Sequence, residues 1–176
     1  RDRRLPVIGW TGSHSTAKFL QIVRPALVEL QKRHEFEFRV ICDHDPGCPE
    51  LTHYRFVRWQ LETEVEDLAA FDIGIMPVPE GRWERGKVGF KAIQYSALAM
   101  PSVVSSVGSG REVVVDGETG FVVENDIESW TRALERLLVD LGLARDMGRK
   151  ARTHILERYS VSANIANYVR LFSLDT

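Results

Sequence analysis

Short apolar runs alternate with longer stretches of helical spacing through the first two-thirds of this chain, and helical spacing alone follows. Residues 6–12, Pro-Val-Ile-Gly-Trp-Thr-Gly, read as a buried strand entering a loop. Ser15 is placed to cap a helix whose apolar positions Phe19, Ile22, Val23, Ala26, Leu27 and Leu30 share one face. Pro25 inside that pattern predicts a kink or a lost hydrogen bond. Residues 36–41 and 54–59 alternate as strands do. Between the second of these and the next strand, residues 61–70 read as a short acidic helix with Leu61, Val65, Leu68 and Ala69 on one face. Residues 72–77 form a near-continuous apolar run closed by proline, the signature of a central parallel strand.

A helix over 86–100 runs into Pro101, and strands follow at 102–105 and 119–123. Asn125 with Glu128 three residues on resembles a capping box. Three helical patterns close the chain: Ile127, Trp130, Leu134, Leu137 and Leu138; then Leu143, Met147, Ala151 and Ile155; then Ile165, Tyr168, Val169 and Phe172. Strands alternating with helices, then helices alone, predict an α/β fold. Its sheet is doubly wound and mostly parallel, with helices on both faces and closing helices at the C-terminus.

Composition narrows the picture by exclusion. At 176 residues the chain is long enough for one domain with a proper core. A formal net charge of −2 argues against nucleic acid or a membrane surface as the main partner. No apolar run reaches the length of a bilayer span. Two cysteines make no disulfide framework, so a cytoplasmic, reduced chain is the expectation, with peripheral membrane association left open for a longer protein. The basic opening, Arg1-Asp2-Arg3-Arg4, reads as a linker from a preceding domain, with residues 5–176 as the domain proper. Cys42, His44, Cys48 and His53 invite a zinc reading, but the spacing lacks a close Cys pair and Asp45-Pro46-Gly47 signals a turn. A polar loop leaving a strand is the better reading, and no metal site is assigned.

Ligands of doubly wound sheets sit beyond the carboxyl ends of the strands. Four loops therefore border one candidate cleft: residues 12–18, 59–61, 77–91 and 105–112. The first carries Gly9 and Gly12 in a Gly-x-x-Gly spacing rather than Gly-x-Gly-x-x-Gly, and no acidic residue ends the next strand cleanly. That argues against a nicotinamide or flavin enzyme. Ser13 and Lys18 either contact a phosphate or simply serve the helix start and its solvated first turn. The long turn-rich connection 77–87 suits a loop over a binding site. The glycines and lysines of Gly86-Lys87-Val88-Gly89-Phe90-Lys91, at the opening of an apolar helix, make an anion site suited to a phosphate or pyrophosphate. Lys87 and Lys91 share a helical face, and Gln94 one turn on either hydrogen-bonds a sugar hydroxyl or packs at a helix boundary.

Residues 89–101, then Ser105-Ser106-Val107-Gly108-Ser109-Gly110-Arg111-Glu112, and the Gly117 to Val123 stretch with Gly120, together resemble the C-terminal half of group 1 glycosyltransferases. Arg145-Asp146-Met147-Gly148 and Glu157-Arg158-Tyr159-Ser160 match that family's closing helices. The resemblance covers nearly the whole chain and is strongest over residues 71–159. It implies one of two Rossmann-like domains facing across a cleft, the C-terminal one, binding a nucleoside diphosphate sugar as co-substrate with no cofactor and no metal.

By that resemblance the pyrophosphate rests near Gly89, Phe90 and Lys91, with Lys18 and Lys87 supplying charge. The base lies near Trp59 and the ribose near Gln94, with Gly12 and Ser13 on the facing loop. A hexose-type sugar moves to a glycan or other acceptor with retention of configuration. Acceptor contacts and any catalytic base belong to the N-terminal domain, so no catalytic residue is assigned here and the isolated half is expected to be inactive. The chain departs from the family at its usual glutamate pair, where Gly86 and Gln94 stand, and at a first-loop arginine, where Ser13 stands; Glu80 or Glu84 are placed to compensate for the first carboxylate. A non-catalytic nucleotide- or sugar-binding relative is the alternative, and a protein-interaction module using the open cleft face a further one, which apolar surface on the closing helix around Tyr168 and Phe172 would favour.

Overall fold

The computed structural model describes residues 4–82, 86 and 89–172. Six strands build its sheet: β1 (Val7–Thr11), β2 (Glu37–Cys42), β3 (Tyr54–Arg58), β4 (Ile73–Met76), β5 (Ser102–Ser105) and β6 (Gly120–Val123). Every pairing is parallel and the order is β3-β2-β1-β4-β5-β6. The described helices are α1 (His14–Ala17), α2 (Leu20–Gln31), α3 (Glu64–Ala69), α4 (Phe90–Ala97), α5 (Gly110–Val113), α6 (Ile127–Val139), α7 (Leu141–Arg158) and α8 (Val161–Phe172). The fold is the Rossmann-like doubly wound sheet that the alternation predicts. None of these helices is long and apolar enough to cross a membrane.

Alternation along β1 sends side chains to two cores. Ile8 and Trp10 join Val23 and Leu27 of α2 and Trp130 and Leu134 of α6 on one face. Val7 joins Ile41, Phe71, Tyr95 and Met100 on the other. β1, β4 and β5 are buried throughout because both faces are covered, whereas β3, at the sheet edge, is only partly so.

Several boundaries differ from the sequence expectation. The first helix begins at His14 after Ser13, not after Ser15, and neither serine caps it through its side chain. The chain then breaks near Phe19 and restarts as α2, which runs unbroken through Pro25 and buries Leu20. The expected capping box is shifted by one: Asp126 caps α6 by accepting the Ser129 amide at 2.7 Å. Asn125 instead accepts from Ser105 Oγ at 2.7 Å and donates to the Val78 carbonyl at 2.8 Å. The helix expected over 86–100 is shorter, Phe90–Ala97, and it ends where Ala99 takes a left-handed φ of 56°.

Two apolar faces lack the cover that their periodicity suggests. Of the four residues expected on the acidic helix's buried face, Leu68 is buried while Leu61 and Val65 are exposed. On α8 no residue is buried, and Val161, Ile165, Tyr168 and Phe172 are all exposed. Periodicity reports which side of a helix is apolar, not whether anything lies against it.

Candidate functional site

The strand order reverses between β1 and β4, and loops leaving neighbouring strands part at such a point. A cleft of about 470 Å³ opens there. One wall is Thr11, Gly12 and Ser13 at the end of β1 with Thr16 behind them; the opposite wall is Met76, Pro77 and Val78 at the end of β4. The first turn of α4 adds Phe90 and Lys91, with Gln94 one turn further in. Asp43, Trp59 and Glu64 close the side towards β2 and β3.

Local structure sets these positions. A Cβ at Gly12 would lie 2.5 Å from the Trp10 ring, so only glycine lets the chain turn over the indole that floors the cleft. Val78 is fixed by Ser105 Oγ, which accepts its amide at 2.9 Å, and by Asn125, which holds its carbonyl. Tyr95 is fully buried beneath the cleft, and that burial pushes its phenol well above the usual range, so it stays neutral. Lys91 extends its amine to 5.7 Å from the centroid of the Trp10 ring.

Gly89 is the N-cap residue of α4, with no side-chain cap, and the helix's first amides and positive dipole end stand beside Phe90 and Lys91. The arrangement therefore combines an apolar aromatic shelf, from Trp59 and Phe90, with a cationic helix start. Gln94 Nε2 donates to Glu64 Oε1 at 3.1 Å, which sets a carboxylate on the same wall. Such a cleft offers apolar aromatic surface, hydrogen-bonding side chains and a cationic helix start.

Of the residues singled out from sequence, Gly12, Ser13, Trp59, Phe90, Lys91 and Gln94 line the cleft together. Gly89 is buried just behind it, where a Cβ would come within 3.0 Å of the Ser109 carbonyl oxygen. Lys18 stands outside the lining, exposed at the end of α1 with its amine 5.8 Å from the Phe19 ring. Lys87 and Glu84 lie outside the described residues. Glu80 and Gly86 are exposed and line no part of the cleft. The loop 105–112 does not line it either; it contains the start of α5 and packs behind α4.

Asp43 and Glu64 are additions that sequence reasoning missed. β2 extends to Cys42, so an acidic residue does follow the second strand, contrary to the expectation. Its carboxylate is engaged, however: Oδ1 accepts the His14 amide at 2.7 Å, and Oδ2 meets His14 Nδ1 at 2.5 Å. The His14 hydrogen bond in particular holds the Asp43 carboxyl far below the ordinary carboxylate range. Cys42 and Cys48 are both buried in the core, with their thiol pKa values raised by burial, and among the described residues neither joins a metal-capable cluster.

Comparison with known proteins gives this geometry a setting. The sequence model of the family Glycosyl transferases group 1 matches residues 5–140. A D-inositol 3-phosphate glycosyltransferase of Paenarthrobacter aurescens is 39% identical over 67 residues, 38% of this chain and 16% of that protein. The C-terminal domain of LpcC, a glycosyl transferase group 1 family protein of Francisella tularensis, superposes with a TM-score of 0.72 at 18% identity. That match covers 89% of this chain and 87% of the LpcC domain. Anabaena HepE, crystallised with UDP and glucose, superposes with a TM-score of 0.74 at 15% identity, over 96% of this chain and 48% of HepE. The matched region is thus under a fifth of the curated relative and about half of HepE. At these identities the structural likeness establishes the fold.

Proposed function

The chain belongs to the group 1 glycosyltransferases, and from that premise we propose that residues 5–176 form the C-terminal, donor-binding domain of a two-domain enzyme. The donor is a nucleoside diphosphate sugar. Its base lies against Trp59, its ribose faces Gln94 and Glu64, and its diphosphate meets the start of α4 at Gly89, Phe90 and Lys91. The observation that carries the reading is the meeting, in one cleft at the β1/β4 reversal, of an aromatic shelf with a cationic helix start.

In the transfer, the bond between the sugar's anomeric carbon and the diphosphate oxygen breaks while an acceptor oxygen bonds to that carbon. Negative charge collects on the departing diphosphate. The dipole of α4 and the Lys91 ammonium are aimed where that charge develops, so they stabilise the transition state more than the ground state. Acceptor contacts and any catalytic base come from an N-terminal domain; the exposed apolar face of α8 supports such a partner. Retention of configuration, a hexose-type sugar and chemistry without a metal follow from the family resemblance, while a cytoplasmic setting rests on two cysteines that make no disulfide framework. UDP is the first nucleotide to test because the HepE structure holds it.

The test is a thermal-shift titration with UDP, GDP and ADP and their sugar conjugates. A ligand that binds only the folded chain stabilises it by about 2.7 kcal/mol at a hundred times its Kd. One diphosphate should raise Tm, and Lys91→Ala should remove the rise. A rise that persists in Lys91→Ala would place the diphosphate elsewhere.

A further inference from the structure

His14 opens α1 beyond β1, and Asp43 and His44 directly follow β2, so two loops from adjacent strands meet at the cleft rim. Asp43 Oδ1 accepts the His14 amide at 2.7 Å and the Cys42 thiol at 3.2 Å, which fixes the plane of the carboxylate. Its Oδ2 faces both imidazoles, with His14 Nδ1 at 2.5 Å and His44 Nδ1 at 3.1 Å. The two rings stand edge to face with centroids 5.5 Å apart, and the three donor atoms all lie within 4.8 Å of one another.

We propose that His14, Asp43 and His44 form a site for one divalent cation of the zinc, cobalt or nickel class. Two nitrogens and one carboxylate oxygen suit these metals, whereas calcium and magnesium prefer oxygen ligands throughout. Tetrahedral ligands about 2.0–2.1 Å from zinc are about 3.3 Å apart. Oδ2 therefore draws back slightly from both imidazoles, while rotation of the exposed rings adjusts the third separation, now within 4.8 Å. Oδ1 and its two donors act as the supporting shell that orients a first ligand. The imidazole side chains are 68% and 76% exposed, which leaves the remaining coordination positions to water. On binding, each Nδ1 gives its lone pair to the metal, and the proton it shared with Oδ2 moves to Nε2 or to solvent. Asp43 also lines the cleft, so the cation adds positive charge at its rim. The site stands independently of the glycosyl-transfer reading, which implies chemistry without a metal, and its role is binding rather than catalysis.

The test is calorimetric titration of the tag-free, metal-stripped chain with Zn²⁺, with Co²⁺ absorption as a second readout. The expected result is one ion per chain. Affinity should fall more than about tenfold in His14→Ala and in His44→Ala, the range that even loss of a supporting partner brings, and by a similar or larger factor in Asp43→Asn. His34→Ala and His53→Ala should bind as the parent does. Far-UV circular dichroism checks that each variant stays folded, and the exposed positions of both histidines favour that. Cobalt should give the visible bands of nitrogen and oxygen ligands without a thiolate charge-transfer band. Absence of saturable binding, undiminished binding in H14A/H44A, or a thiolate band from Cys42 would each overturn the assignment.

Discussion

Tyr95 Oη accepts the Thr11 amide at 3.2 Å and donates to the Ile75 carbonyl at 3.3 Å. One phenol on α4 thereby joins β1 and β4, the strands whose divergence opens the cleft. The bonds are buried, so neither partner can turn to water instead. Tyr95→Phe should therefore cost about 1–3 kcal/mol, the penalty for leaving the Thr11 donor unsatisfied. Urea unfolding should show a lower midpoint at unchanged slope. A midpoint equal to the parent's would mean that the amide finds another acceptor.

A second prediction reverses a general rule. Replacing an interior helical glycine by alanine ordinarily stabilises a helix by about 1 kcal/mol. At Gly148 in α7, a Cβ would lie 1.9 Å from the carbonyl oxygen of Ala99, the left-handed residue that ends α4. Backbone atoms cannot swing aside as a side chain can, so α7 must shift away from α4. Gly148→Ala should destabilise by about 1–3 kcal/mol, the usual cost of overpacking, measured as a fall in Tm.

Trp59 offers the apolar surface assigned to the base. It is partly exposed, so Trp59→Ala should leave Tm nearly unchanged. Base–aromatic stacking is worth about 1–3 kcal/mol, which corresponds to a loss of about fivefold or more in affinity for the preferred nucleoside diphosphate. Isothermal titration would read it. Equal affinity would move the base to Phe90 or off the shelf altogether.

Glu64 and Gln94 test the ribose assignment. Glu64→Gln keeps a side chain able to accept from Gln94 but removes the carboxylate charge, and a charged acceptor makes the stronger bond to a hydroxyl. The preference for UDP over its 2′,3′-dideoxy analogue should therefore fall in Glu64→Gln. An unchanged preference would show that the sugar hydroxyls face another group.

Asp126 provides a pH signature. Its carboxyl is held below the ordinary range chiefly by the backbone hydrogen bond from Ser129, which the ionised form accepts. A depressed folded pKa means that the cap's contribution is fully present above the unfolded value of about 3.9 and is lost as pH falls through the lower folded value. Asp126→Ala should thus lower Tm at neutral pH, and the gap to the parent should narrow as pH drops below about 4. A gap that stays constant across that window would assign the effect to something other than the ionised cap.

Much of the architecture was legible along the chain because its signals are local. Continuous apolar runs at residues 72–77 and 102–105 mark strands covered on both faces, and β4 and β5 are buried there. Helix boundaries were less legible. Asn125 and Asp126 are both good caps, and the choice fell to Asp126 because Ser105 and Val78 occupy Asn125 across three strand ends. The acidic helix and α8 show the same limit from the other side, since their apolar spacing found little to pack against.

By itself, the sequence determined the strand–helix alternation, the glycine turn at Gly12 and the cationic start of α4, because periodicity, turn chemistry and helix termini each act within a few residues. It also marked the loops after β1, β3 and β4 as borders of a cleft, since parallel winding sends alternate loops to one end of the sheet. The loop 105–112, marked with them, does not line it, and Asp43 after β2 does. Only the tertiary structure decided which side chains meet there. Glu64 reaches Gln94 across 30 residues and Asp43 reaches His14 across 29, and Lys18 falls outside although its own loop lines the wall. Those outcomes depend on strand order, on where β2 ends, and on the direction each side chain takes once its neighbours are packed. None of these is encoded in local spacing.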